Sequence, residues 1–274
     1  MASTIRMNDG RDLPSIGFGS FPWNNDDSEA STLDALAAGY RLIDTALRYG
    51  NEAAVGRAIA ATDVPRDEIV VTTKLAGRHH GHDETIAGFR ESLAALALDH
   101  VDLYLIHWPL PRLDAYVASW RAMIELRDQG LVRSIGVSNF TEAHLTRLAD
   151  ETGVVPAVNQ VELHPYFPQA ALREFHAAHG IVTESWSPLG RGDLLKEPVI
   201  TGIAEAHGVS PGQVVLRWHT QLGAVPIPAS SNPERRRQNI DVFGFTLTDD
   251  EVAAISGLER GRIWDQDPDV HEEF

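Results

Sequence analysis

The chain has 274 residues and carries 23 Lys and Arg against 39 Asp and Glu, a formal charge of −16. That acidic balance repels phosphate backbones and anionic lipid, so neither nucleic acid nor a membrane surface is an expected partner. The absence of cysteine removes disulfides, thiolate nucleophiles and zinc–thiolate sites together, and 43% hydrophobic with 23% charged residues is the composition of a globular chain. The opening residues, with Arg6, Asn8, Asp9, Arg11 and Asp12, form no apolar export signal. Runs such as Val101 to Ile106 fall far below the ~20 residues that span a bilayer. The expected compartment is the cytoplasm.

In chain order, Asp9-Gly10 marks a tight hairpin turn. Short apolar runs then alternate with helical patterns. The runs are Ser15 to Gly19, Tyr40 to Asp44, Ile69 to Lys74, Val101 to His107, Ser134 to Ser138, Ala157 to Val161, Ile181 to Ser185 and Ala224 to Ile227. Most are continuous rather than alternating, as in strands buried on both faces of a parallel sheet. Between them the pattern predicts helices over Asp34 to Ala38, Glu52 to Ala61, Glu84 to Ala97, Asp114 to Gln129, Thr141 to Glu151, Gln169 to His179, Pro211 to Leu222 and Pro233 to Asn239. Gly39, Gly130, Gly180 and Gly223 stand as helix stops, and Asp83, Thr141 and Ser210 as helix starts. Eight such units in one chain predict an α/β fold, a (β/α)8 TIM barrel with an N-terminal hairpin and a C-terminal loop tail. Residues 1–274 are expected to form a single domain, with extra material at Val199 to His207 and Thr248 to Leu258.

In such a barrel the carboxyl ends of the strands converge on one face. Polar or aromatic residues stand there repeatedly: Asp44, Lys74, His107, Ser138 with Asn139, Gln160, Trp186 and Ser230. Asp44, Lys74 and His107 end consecutive strands, and a charge inside a barrel mouth must be paired or used. Tyr49 follows Asp44 closely. A phenol releases its proton near pH ~10, but a neighbouring ammonium stabilises the phenolate. Lys74 suits that task, Asp44 would keep Lys74 charged, and His107 could orient a substrate oxygen. The set reads as a tuned proton donor for a carbonyl.

The segments Gly39-Tyr40-Arg41-Leu42-Ile43-Asp44-Thr45-Ala46, Leu103-Tyr104-Leu105-Ile106-His107-Trp108-Pro109, Ser134-Ile135-Gly136-Val137-Ser138-Asn139-Phe140 and Asn159-Gln160-Val161-Glu162-Leu163-His164-Pro165 resemble those of the aldo-keto reductase superfamily. Ala95-Leu96-Ala97-Leu98-Asp99 and Glu184-Ser185-Trp186 are most similar to its bacterial 2,5-diketo-D-gluconate reductase group. The resemblance runs from about Ile5 to about Leu258. It implies an NADP-dependent oxidoreductase that reduces aldehydes or ketones of small carbonyl and dicarbonyl compounds, acting as a monomer. Asp44, Tyr49, Lys74 and His107 would form the catalytic tetrad. Tyr49 would give the proton, Lys74 and Asp44 would depress its pKa, and His107 would orient the carbonyl. Ser138, Asn139 and Gln160 would hold the nicotinamide carboxamide, with Trp186 stacked on the ring.

The resemblance breaks after the eighth run, where the family has Ile-Pro-Lys-Ser and this chain has Ile227-Pro228-Ala229-Ser230. Losing that cation weakens recognition of a 2′-phosphate by ~1–3 kcal/mol. NADPH stays the implied cofactor, held by Ser230, Arg235 and Asn239 with Arg236 as a further phosphate partner, and NADH is left open by Ala229. No G-x-G-x-x-G stretch offers a Rossmann alternative. Trp23, Trp108, Phe140 and Trp264 are the expected aromatic walls of the substrate cleft, whereas Trp120 and Trp218 lie within helical patterns and read as core. The tail from Arg262 to Phe274 resembles the family's mobile, substrate-selecting loop.

His79-His80-Gly81-His82 reads as a solvated loop near the cleft rather than a metal site, and no metal is expected. A metal-dependent barrel hydrolase lacks histidine pairs at ligand spacing among the strand ends. A cofactor-binding redox sensor with little turnover is the alternative function; the intact Tyr49, Lys74 and His107 argue against it.

Overall fold

A computed structural model describes residues 3–21 and 25–273. An antiparallel hairpin of β1 (Thr4–Arg6) and β2 (Asp12–Pro14) opens the chain. Eight parallel strands follow: β3 (Phe18–Gly19), β4 (Leu42–Asp44), β5 (Val70–Leu75), β6 (Val101–Ile106), β7 (Val132–Ser138), β8 (Val158–Glu162), β9 (Val182–Trp186) and β10 (Ala224–Pro226). Each pairs with the next in sequence order. The ring is closed by backbone hydrogen bonds, the Gly17 and Gly19 N–H groups donating to the Pro226 and Pro228 carbonyls at 3.0 and 3.1 Å. The strands and helices are those of a (β/α)8 barrel. Gly17 permits the seam, because a Cβ there would lie 2.6 Å from Ile227 Cδ1 and 2.8 Å from Leu42 Cγ.

Inside the ring Leu42, Leu103, Leu105, Val158, Val182 and Val225 form one buried cluster, completed by Met7 and Leu13 of the hairpin. The hairpin thereby plugs the amino end of the barrel and leaves the carboxyl end open for chemistry. Outward-facing Ile43, Val71, Tyr104, Ile106 and Ile135 pack beneath the helices against Leu36, Phe89, Trp120, Met123 and Leu148. Each such large side chain contributes about 1.5–3 kcal/mol on burial. Trp120 and Trp218 are fully buried, as core residues.

The helices that follow the eight strands are α1 (Asn25–Ala37), α2 (Glu52–Ala61), α3 (His82–Leu96), α4 (Tyr116–Asp128), α5 (Glu142–Thr152), α6 (Ala170–Ala178), α8 (Pro211–Gln221) and α9 (Pro233–Ile240), with α7 (Pro198–His207) and α10 (Asp249–Ser256) as the additions. Two local expectations are corrected. Helix α1 begins well before Asp34, because its buried face includes Ser28 and Thr32, hydroxyls that interrupt an apolar period. Asp83 is not a cap: α3 is entered from Gly81, at φ 121°, and Asp83 sits in its first turn, where a carboxylate still favours the positive end of the helix dipole. Thr141 and Ser210 do cap α5 and α8.

Candidate active site

Strand register brings the polar ends to one level, with Asp44 opposite Thr72, Leu75 opposite Ile106, and Ser138 opposite Gln160. They floor a cleft of about 740 Å³. Lys74 is fully buried. Its Nζ donates to Asp44 Oδ1 at 2.6 Å, to the Thr45 carbonyl at 3.0 Å and to Tyr49 Oη at 3.3 Å, so each ammonium hydrogen has an acceptor. Tyr49 ends a short 3-10 turn, Leu47–Tyr49. Its ring is edge-on to His107 at 5.8 Å, which the structure brings to the same cleft.

Burial pulls the Lys74 pKa down, but Asp44 and then Tyr49 overcome it and hold the amine above its ordinary range. Tyr49 differs from the expectation. Burial raises its pKa, Lys74 lowers it and Asp44 raises it, and the result lies above the ordinary phenol value. Asp44 therefore does not depress Tyr49 directly; it acts by keeping Lys74 charged.

A second network backs the first. Gln160 Nε2 donates to Asp44 Oδ2 at 2.9 Å and to Glu184 Oε2 at 2.8 Å. With both amide hydrogens engaged, Oε1 is the remaining polar atom of the Gln160 side chain, its backbone carbonyl accepting from Ser138 Oγ at 2.7 Å. Glu184 is fully buried, its Oε1 has no partner, and burial together with the Asp44 charge pushes its pKa up to about 8. Asn139 adopts φ 64°, a left-handed conformation that Asn tolerates. This lets Nδ2 donate to the His107 carbonyl at 3.0 Å and to Ser138 Oγ at 3.1 Å. Its Oδ1 accepts the Trp186 indole N–H at 2.8 Å.

The expected aromatic walls divide. Trp108 and Trp264 line the cleft, as do Phe21 and His271. Trp264 stands 6.1 Å from Trp186, with the Arg191 guanidinium 3.8 Å over its ring. Phe140 does not reach the cleft: it is 1% exposed and packs edge-on against Tyr116 and His144, because the turn at Asn139 sends the next side chain behind β7. Trp23 lies outside the described residues.

Beyond β10, Pro228 and Ala229 border the cleft, Ser230 is half-buried, Arg235 is exposed in the first turn of α9 and Asn239 is buried. Arg236 is buried and already engaged. Its guanidinium binds Asp34 at 2.7 Å and the Ser230 carbonyl at 2.7 Å, tying α9 to α1. The histidine tract is spread over separate partners, His79 with Glu91 and His82 with Asp83 and Glu125. His80 is not solvated, since its ring nitrogens are buried. Among the described residues no three His, Asp or Glu side chains gather as a metal site, and no helix is long and apolar enough to cross a membrane.

A sequence profile of the aldo/keto reductase family matches residues 15–260. The chain belongs to that family. It is 58% identical over 272 residues to 2,5-diketo-D-gluconic acid reductase B of Corynebacterium sp., covering 99% of this chain and 98% of that one. The crystal structure of an aldo/keto reductase from Brucella melitensis superposes with a TM-score of 0.92 at 47% identity, covering 94% of this chain and 100% of the other. A variant of Gox0644, solved in complex with NADPH, gives 0.95 at 46% identity over 99% of each chain. Within this aldo/keto reductase fold, Glu184 and Glu273 are site residues that sequence reasoning missed. Glu184 stood inside a recognised segment, two residues before Trp186, without being read as part of the site. Nothing in the tail's pattern marked Glu273, whose contacts depend on how the tail folds back.

Proposed function

We propose that this chain reduces aldehyde or ketone groups of small carbonyl and dicarbonyl compounds to alcohols, with NADPH as reductant. The observation that carries the reading is the Asp44–Lys74–Tyr49 chain of contacts, 2.6 and 3.3 Å long, which ends at a phenol in the same cleft as His107. NADPH supplies the hydride when bound. Two features of the cleft suit it: the Trp186 face, anchored at its edge by Asn139, and Gln160 Oε1, which is left for a carboxamide N–H while Ser138 and Asn139 line the same wall. Ser230, Arg235 and Asn239 would hold its adenosine phosphate end. The NADPH complex of the Gox0644 variant supports the cofactor, and the diketogluconic acid reductase supports a small dicarbonyl substrate. With Ala229 in place of a lysine, NADH is the weaker alternative.

In this mechanism His107 orients the carbonyl oxygen toward Tyr49. Burial keeps the phenol protonated, as a proton donor requires. As hydride reaches the carbonyl carbon, the Tyr49 proton passes to the oxygen, giving the alcohol and a tyrosinate. Lys74, 3.3 Å away, stabilises that anion on the order of 5 kcal/mol at an effective dielectric of about 20, before the opposing charge of Asp44 is counted. Such a set favours turnover over cofactor sensing. Tyr49→Phe should lower kcat by ~10²–10⁴-fold while NADPH still quenches tryptophan fluorescence; near-normal turnover by that variant would overturn the assignment.

A further inference from the structure

A recess beside His107 is filled by a carboxylate of the chain itself. Glu273, on the C-terminal tail, is 3% exposed. Its Oε2 accepts the Gly77 N–H at 3.0 Å. Its Oε1 lies 2.6 Å from His107 Nδ1, off hydrogen-bond alignment, and 3.5 Å from Arg48 Nε. Neighbouring tail residues hold it there, His271 by its ring 4.1 Å from that of Trp108 and Glu272 by an ion pair to Arg112 at 3.4 Å. The seat is shaped for the tail backbone as well, since a Cβ on Gly77 would overlap the Glu273 carbonyl oxygen. Farther along, the tail is moored to the barrel where the Ile263 N–H donates to Glu162 Oε1 at 2.8 Å.

An ionised carboxylate oxygen so close to Nδ1 requires a proton on that nitrogen. A ring that also donates from Nε2 to a carbonyl oxygen then carries both protons and a positive charge, which a recess accepts only with a counter-charge. Around the pair stand the Tyr49 ring, edge-on to His107, Arg48 against Glu273, and His271 and His80, which both feel the Glu273 charge; Glu273 is the carboxylate in direct contact with His107 among the described residues. Burial works against its ionisation, but His107, Arg48 and the Gly77 N–H outweigh this and hold its pKa below the ordinary carboxylate range.

We propose that Glu273 is a positioning residue for carbonyl reduction: seated by Gly77, it takes the Nδ1 side of His107, turns Nε2 toward the cleft and supplies the counter-charge for a ring that donates to substrate. The catalytic face is thus complete only with the tail docked. The proposal rests on the reductase reading for its consequence, though not for its geometry. Carboxylate partners of functional histidines are commonly worth about 10–100-fold.

The test is ¹⁵N NMR of the His107 ring near neutral pH in the full-length protein, with the Gly77 amide as reporter of docking, alongside steady-state kinetics with an aldehyde and NADPH. The wild-type ring should show the proton on Nδ1, the nitrogen beside the carboxylate. Glu273→Gln should release that nitrogen, changing the Nδ1 resonance and the tautomer it reports, and lower kcat by ~10-fold with KM nearly unchanged. Gly77→Ala, which keeps the carboxylate but unseats it, should give the same spectral change and a shifted Gly77-region amide pattern. Ring shifts indifferent to both substitutions, or a kcat that rises when the carboxylate is removed, would overturn the proposal. The spectra need neither substrate nor cofactor. A wild-type protein without turnover would therefore strike the reductase reading, while the ring nitrogens still judge the pair.

Discussion

Glu184 offers a test of the electrostatics beneath the site. Its carboxyl is fully buried, touches Gln160 Nε2 at 2.8 Å and has Asp44 as a charged neighbour. Burial first, and Asp44 second, raise its pKa from 4.5 to about 8. Below 4.5 the group is protonated in folded and unfolded chains alike. As pH rises through that value only the unfolded chain releases its proton, so the folded state loses stability until about 8, where it too ionises. At ~1.36 kcal/mol per pH unit, the loss over this window is about 5 kcal/mol at most. Glu184→Gln keeps the shape and the contact to Gln160 but cannot ionise. Any cost of placing an amide at the partnerless Oε1 position is the same at every pH. Urea unfolding followed by tryptophan fluorescence, sensitive to the buried Trp120 and Trp218, should be run on both proteins at about pH 5 and about pH 8.5. The variant should gain on the wild type by several kcal/mol between the two conditions. An equal difference at both pH values would mean that Glu184 ionises normally in the fold, and would refute the reasoning.

Lys74→Met leaves Asp44, 4% exposed, as a buried charge without its cation, and should cost about 3–5 kcal/mol in unfolding free energy. Adding Asp44→Asn should restore much of that stability while turnover stays lost, which thermal melts and aldehyde assays on the pair would check. Ala229→Lys should shift the ratio of kcat/KM for NADPH over NADH toward NADPH by ~1–3 kcal/mol; an unchanged ratio would place the 2′-phosphate pocket elsewhere.

The barrel was legible because strands buried on both faces read as continuous apolar runs, and their spacing alone implied eight strand–helix units. The catalytic candidates were legible for a related reason: Asp44, Lys74 and His107 end successive inner strands, so regular topology converts chain position into proximity. Where the pattern misled, a local feature was responsible. The small buried hydroxyls of Ser28 and Thr32 hid the first half of α1, and the left-handed turn at Asn139 sent Phe140 into the core.

The amino-acid sequence by itself determined the fold class, the strand ends and the residue types gathered at them, since periodic burial is written into local hydrophobic order. Only the tertiary structure decided that Glu184 lies beneath Gln160, that Arg236 is consumed by Asp34, and that the tail returns Glu273 to His107. Each of those pairings joins segments far apart in the chain, and a charge in a sequence carries no mark of the distant partner that will neutralise it.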